Sequence, residues 1–137
     1  MDDFKLIITL TVAWVDMDSL GHVNSSKYFT YFESARIAYF EKLSILDFFK
    51  NNNIAGVLAT NECSYLKPLY YPDTLSVGAK VNEVSKKGIT MEYFIDSSKS
   101  GLSAIGETSI VFFDFYTNRK TDIPNEIVDI IKNYEEL

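Results

Sequence analysis

The sequence predicts an α+β domain in which a largely antiparallel sheet of five strands wraps one long helix. Three observations carry that expectation: an opening stretch with period-two hydrophobicity, a broad aromatic stripe at helical spacing directly after it, and a C-terminal half of alternating segments. The turns between those segments are too short to hold crossover helices, so the strands they join run antiparallel.

From Phe4 to Val15 the apolar residues Phe4, Leu6, Ile8, Leu10, Val12 and Trp14 fall on one face, which is a strand. The loop DMDSLGHVN follows, with Gly21 as its breaker. From Ser25 to about Leu43 the period changes: Tyr28, Phe32, Ala35 and Tyr39 stack at helical spacing, and Phe29, Tyr31 and Phe40 widen the stripe. Asn24 or Ser25 can cap this helix, and a stripe so broad suits a helix enclosed on most sides. Ser44 to Asn53 reads as a short second helix ending in three asparagines. Strands are expected over Val57–Leu66, around Leu75, Val77, Ala79 and Val81, around Ile89, Met91, Tyr93 and Ile95, and over Ala104–Tyr116. The turns lie at 68–73, 86–88 and 98–101. Pro124 opens a terminal amphipathic helix with Ile127, Ile131 and Tyr134 inward. No repeat, low-complexity tract or linker divides the chain, so residues 1–137 are read as one domain.

Composition narrows the function classes. The net charge is −6 with no visible Lys/Arg face, which argues against nucleic acid, whose binding rests on phosphate neutralisation. No apolar run approaches the ~20 residues of a membrane span, the acidic N-terminus is unlike a secretory signal, and Cys63 has no partner for an internal disulfide. A soluble cytoplasmic protein is the expectation. A single histidine and a single cysteine give no usual metal site, and no cofactor is expected.

The densest polar cluster is Asp16, Asp18, His22, Asn24 and Ser25, between the first strand and the long helix. A helix N-terminus carries unpaired N–H groups and partial positive charge, which can hold a carbonyl oxygen as it becomes an oxyanion. A carboxylate on the preceding loop can face the same carbonyl as base or nucleophile. Asp-x-Asp before Gly also reads as a turn that bonds its own amides, and Asp16 is the better fit to that role. Glu33 and Arg36, three apart on the helix, read as an ion pair.

The stretch VDMDSLGHVNSSKYFTYFESAR resembles the signature of 4-hydroxybenzoyl-CoA thioesterase-like proteins, approximately D-x-D-x-x-G-H-V-N-N-x-x-Y followed by F-E-x-A-R. Asp16, Asp18, Gly21, His22, Val23, Asn24, Tyr28, Phe32, Glu33, Ala35 and Arg36 stand in register, with Ser25 in place of the second Asn. SYLKPLYYPDTLSV is similar to the family's Tyr-x-x-Pro and Asp-x-Leu strand pair, and FFDFYTNRK to its closing strand. The resemblance implies a hotdog fold, a homodimer or tetramer with sites at the dimer interface, and hydrolysis of an acyl-CoA, with acyl carrier protein as the other candidate donor. It implies Asp18 as the catalytic carboxylate and the Ser25 backbone N–H as the carbonyl's polarising donor. Asp16, Gly21, His22, Asn24, Tyr28 and Glu33 would shape the site. Lys86 and Lys87 are the first candidates for the coenzyme A phosphates, followed by Arg119–Lys120 and Lys67. Two rival functions share the fold: a hotdog dehydratase or hydratase, and a non-catalytic acyl-CoA-binding module. Nucleophile versus general base, and the acyl group itself, stay open.

Overall fold

The structure, a computed structural model, describes residues 3–137. Strand β1 (Leu6–Thr11) is followed by a single 3-10 turn (Trp14–Asp16), helix α1 (Ser25–Lys42) and helix α2 (Ile45–Asn52). Then come β2 (Ile54–Tyr65), β3 (Thr74–Val84), β4 (Gly88–Ser97), β5 (Gly101–Asp114), the short β6 (Arg119–Thr121) and α3 (Asn125–Glu135). One antiparallel sheet has the order β1-β3-β4-β5-β2, with β6 paired to β5. The α+β class with a long helix against a curved antiparallel sheet is as expected.

Two expectations need correcting. The first strand stops at Thr11, so Trp14 is not on the inward face; it is 72% exposed. The chain curls there because the Asp16 carboxylate accepts the Ala13 N–H at 3.0 Å while the Asp16 N–H bonds the Ala13 carbonyl at 2.9 Å. The sheet also has a sixth strand. Asp114 holds the amides of Tyr116 and Thr117, Asn118 takes a left-handed φ of 59°, and the Arg119–Thr121 stretch returns to pair with Phe112–Asp114.

The alternating sets on β3 and β4 bury as their period requires: Leu75, Val77, Ala79 and Val81 with Ile89, Met91, Tyr93 and Ile95. Helix α1 lies on this face with Tyr28, Phe32, Ala35 and Tyr39 inward. Its closest approach is set by Gly106, where an added Cβ would stand 2.4 Å from a ring carbon of Phe32. The Phe32 ring stacks on Tyr93 at 5.0 Å between centroids. Arg36 makes the expected ion pair with Glu33 and is itself buried. Its Nη1 donates to the Tyr93 hydroxyl at 3.2 Å, which in turn meets Thr108 Oγ1 at 2.7 Å; Glu33 lies 3.7 Å away on the exposed side. A buried guanidinium needs such partners, because a lone buried charge is costly.

Past the end of β1 the Val81 N–H donates to the Glu135 carboxylate at 2.9 Å, and the Tyr39 hydroxyl donates to the same oxygen at 2.7 Å. Helix α3 is thereby fastened to both the sheet and α1. At the other edge, β2 is twelve residues long, mostly exposed, and paired on one side to β5.

Adding a methyl group at Gly106 would push into Phe32, whose ring is fully buried. Gly106→Ala is expected to lower the urea midpoint by the equivalent of about 1–3 kcal/mol at unchanged slope. An unshifted midpoint would show that the ring has room to move.

Candidate active site

The loop between the 3-10 turn and α1 is knotted by its own backbone. Asp18 N–H bonds the His22 carbonyl at 2.8 Å, Gly21 N–H bonds the Asp18 carbonyl at 3.2 Å, and Asn24 N–H reaches back to the Asp16 carbonyl at 2.9 Å. Gly21 has a φ of +89°, in the region side-chain-bearing residues disfavour, and this is where the loop reverses. Val23 is buried and ties the loop to the far side of the site through its N–H to the Leu69 carbonyl at 2.8 Å.

The two aspartates are used differently. Asp16 turns inward: its Oδ2 accepts the Tyr31 hydroxyl at 2.8 Å as well as the Ala13 amide. Burial first, then the bond to Asp16 and its charge, push the Tyr31 phenol far above its usual range, so it stays a donor. Asp18 turns to a cavity. Its Oδ1 accepts the Leu20 N–H at 2.8 Å, its Oδ2 stands 3.3 Å from His22 Nδ1, and its side chain keeps 23% of its surface exposed. A carboxylate has about four lone-pair positions, so these contacts orient Asp18 and leave capacity for a proton.

Asn24 is the N-cap of α1, accepting the Ser26 N–H at 3.0 Å. The amides of Asn24, Ser26 and Lys27 are all bonded locally, whereas Ser25 starts the helix, where no intrahelical acceptor exists for its N–H. The cavity, about 480 Å³, is lined by Asp18, His22, Val23, Asn24, Ser25 and Tyr28 on one side. The other side is Tyr65, Leu66, Lys67 and Pro68. These last four come from the end of β2 and the turn after it. The Tyr-x-x-Pro spacing marked that stretch in the sequence, but nothing local placed it opposite Asp18. Tyr65 closes the gap by donating its hydroxyl to the Ser25 carbonyl at 3.1 Å and packing edge-on to Tyr28 at 4.8 Å.

The remaining sequence candidates lie elsewhere. Glu33 is exposed beside Arg36 and does not line the cavity. Lys86 and Lys87 both lean on Asp122, at 3.7 and 3.0 Å, in the turn at the other end of β3, roughly 40 Å along the chain from Asp73. Arg119 and Lys120 are in β6, at that same end. Cys63 sits in β2, and burial pushes its thiol up to about 11, so it is protonated at neutral pH.

Beyond Pro68 the chain enters a polar corner. Asp73, nearly buried, accepts hydrogen bonds from Ser97 and from Ser98, the latter at 2.6 Å. Burial pushes its carboxyl up, but the two hydroxyls, the Thr74 amide and the nearby charge of Lys99 together outweigh it and hold the group below its usual range.

The family model for the thioesterase-like superfamily matches residues 12–131. The chain belongs to the thioesterase-like superfamily. Its structure is similar to that of a Thermus thermophilus thioesterase in complex with coenzyme A and Zn, with TM-score 0.86, 27% identity, and 100% of this chain and 99% of that one covered. It is also similar to the Pseudomonas aeruginosa protein PA2801, with TM-score 0.81, 30% identity, and 93% and 98% covered. In sequence it is 30% identical to Bacillus subtilis YsmA over 90 residues, 66% of this chain and 60% of that protein. The match thus spans less than two thirds of YsmA. Family membership and the hotdog fold bear out the resemblance read from the first motif. Among the described residues no group of three or more His, Cys, Asp or Glu is placed to hold a metal.

If Asp16 anchors the loop through Tyr31, then Tyr31→Phe should cost about 1.5–3 kcal/mol in chemical denaturation, as lost hydrogen bonds to charged groups do. A change within a few tenths would mean that the Ala13 amide alone suffices.

Proposed function

We propose that the protein hydrolyses an acyl-CoA thioester, with Asp18 as base or nucleophile and the Ser25 N–H as the carbonyl's donor. The observation that carries this reading is that Asp18 and the start of α1 line one cavity from the same side. In the general-base form, Asp18 takes a proton from water as its oxygen bonds to the thioester carbon. The carbonyl oxygen gains charge toward the helix terminus, the C–S bond then breaks, and the thiolate leaves to take up the proton. In the nucleophilic form a carboxylate oxygen bonds to that carbon, the C–S bond breaks and the thiolate leaves; water then cleaves the resulting anhydride, returning the Asp18 carboxylate and supplying the proton that the thiolate takes up. The superfamily and the coenzyme A complex of the Thermus thermophilus thioesterase support coenzyme A as the donor.

Asp18→Asn keeps the size of the side chain and removes its proton-accepting capacity. Release of free thiol from a panel of acyl-CoAs is expected to fall in kcat on the order of 10²-fold or more, with KM and melting temperature little changed. A variant within a few-fold of the native protein would remove Asp18 from the mechanism. Water addition without thiol release would point to a hydratase, and binding alone to a sensor.

The assembly follows from β2. A long exposed edge strand is a liability unless something pairs with it, and we infer that β2 pairs antiparallel with its own copy to make a dimer. That pairing sets the Tyr65 end of one protomer beside the Ile54 end of the other, near the Lys86–Lys87 turn and Arg119–Lys120. Lys86 and Lys87 can then serve a ligand held by the Asp18 loop only across such an interface. Light scattering should give a mass of at least twice 15.6 kDa; a stable monomer at assay concentration would remove both the pairing and the shared site.

A further inference from the structure

A second cavity of about 210 Å³ adjoins the Asp18 cavity, sharing Lys67 and Pro68 with it. Its other lining residues are Tyr70, Asp73, Ser97, Lys99 and Ser100. The hairpin Ser97-Ser98-Lys99-Ser100-Gly101 therefore projects into the space just past the proposed thioester site. Lys5 is paired with Glu136, Lys80 with Asp3 and Glu92, and Lys86 and Lys87 with Asp122. Lys67 and Lys99 have no ion pair within 4 Å among the described residues. Both are exposed.

Their positions are set by the fold. Lys67 Nζ donates to the Ser100 carbonyl at 2.7 Å, which draws the ammonium onto the hairpin and leaves two of its three protons for another acceptor. The Lys67 backbone N–H bonds the Ser103 carbonyl at 3.1 Å, fixing the turn against the base of the same hairpin. Ser97 Oγ accepts the amides of Lys99 and Ser100 at 3.1 and 3.2 Å, which fixes the turn that carries Lys99. Asp73 is the one carboxylate lining this cavity, and its two oxygens are taken by the hydroxyls of Ser97 and Ser98. Two ammonium groups against one carboxylate leave the corner positive, on a chain whose net charge is −6.

We propose that Lys67 and Lys99, on the Ser97–Gly101 hairpin, form the subsite for a phosphate of the thioester donor, beside the cavity that takes the thioester. The proposal rests on the thioesterase reading for the identity of its ligand. It differs from the expectation for Lys86 and Lys87 in needing no second chain. The shared chemistry is a phosphate at the end of a pantetheine arm, found in coenzyme A and in phosphopantetheine alike.

The test is calorimetric binding of coenzyme A, pantetheine 4′-phosphate and pantetheine to the native protein and to a Lys67→Gln/Lys99→Gln variant, at two salt concentrations. Removing two charge-assisted contacts at a partly exposed site should weaken coenzyme A roughly 10-fold or more and flatten its salt dependence. Pantetheine, which has no phosphate, should bind both proteins alike. If pantetheine phosphate weakens as much as coenzyme A, the subsite takes the phosphate next to the pantetheine; if coenzyme A alone weakens, it takes a phosphate of the nucleotide. Coenzyme A binding that is unchanged, or pantetheine weakened to the same degree, overturns the proposal. Thiol release from acyl-CoA by the native protein is read separately. Lysine-dependent coenzyme A binding without hydrolysis would sink the thioesterase reading and keep the subsite, and hydrolysis with lysine-independent binding would do the reverse.

Discussion

The packing of Phe32 against Tyr93 over Gly106 is the contact on which the rest of the molecule depends. A helix can lie inside a curled sheet only if the sheet offers a place where side chains do not hold it off, and Gly106 is that place. With the ring seated there, the helix has no freedom to slide or roll without losing a fully buried aromatic contact. The aromatic residues before and after it, Tyr28, Tyr31, Tyr39 and Phe40, then fall against surfaces already shaped for them. Even the polar exception obeys this geometry. Arg36 is drawn into the interior one turn past Phe32, and it is accommodated because Tyr93, the residue under the Phe32 ring, presents its hydroxyl there.

The candidate site inherits its position from that seat. Once α1 is fixed, so is its first turn, and the loop before it has to reach from the end of β1 to Ser25 in a set number of residues. Asp16 holds the near end of this span to Tyr31, on the second turn of the helix itself, and Val23 holds the far end to Leu69. Asp18 stands between the two anchors with its carboxylate turned toward the cavity. The division of labour between the aspartates is thus a matter of which has a phenol within reach. On an acidic chain the local balance matters more than the total: Lys5, Lys80, Lys86 and Lys87 are paired with carboxylates in place, while Lys67 and Lys99, near the cavity, have no ion pair within 4 Å among the described residues.

Much of this was legible in the sequence because it is periodic. The alternation in β3 and β4 and the helical spacing of Tyr28, Phe32, Ala35 and Tyr39 report directly which faces are buried. What was not legible depends on partners distant in the chain. Trp14 continues the period of β1 perfectly and still points outward, because the Asp16 carboxylate bends the backbone two residues earlier than the pattern implies. Strand β6 is three residues of charged and polar sequence, and its pairing with β5 comes from a turn at Asn118. Arg36 looks like a surface residue by type and by its spacing from Glu33, and only the position of Tyr93, 57 residues on, explains its burial. The same holds for the site. Its helix-side half is continuous in sequence and could be read as a motif, whereas the wall opposite, Tyr65 to Pro68, is joined to it only by the fold.

The carboxylate of Glu135 ties together three parts of the chain: the last turn of α3, the last turn of α1 through Tyr39, and the backbone of β3 at Val81. Terminal helices commonly fray on their own as small opening events. Here that independence is removed, since lifting α3 would strand a buried phenol and a strand amide at once. Amide protons at the β3 end beside α3 should therefore exchange together with those of the helix, as one cooperative unit. Local loosening of α3 would be felt in the last turn of α1, the helix whose first turn holds the proposed site.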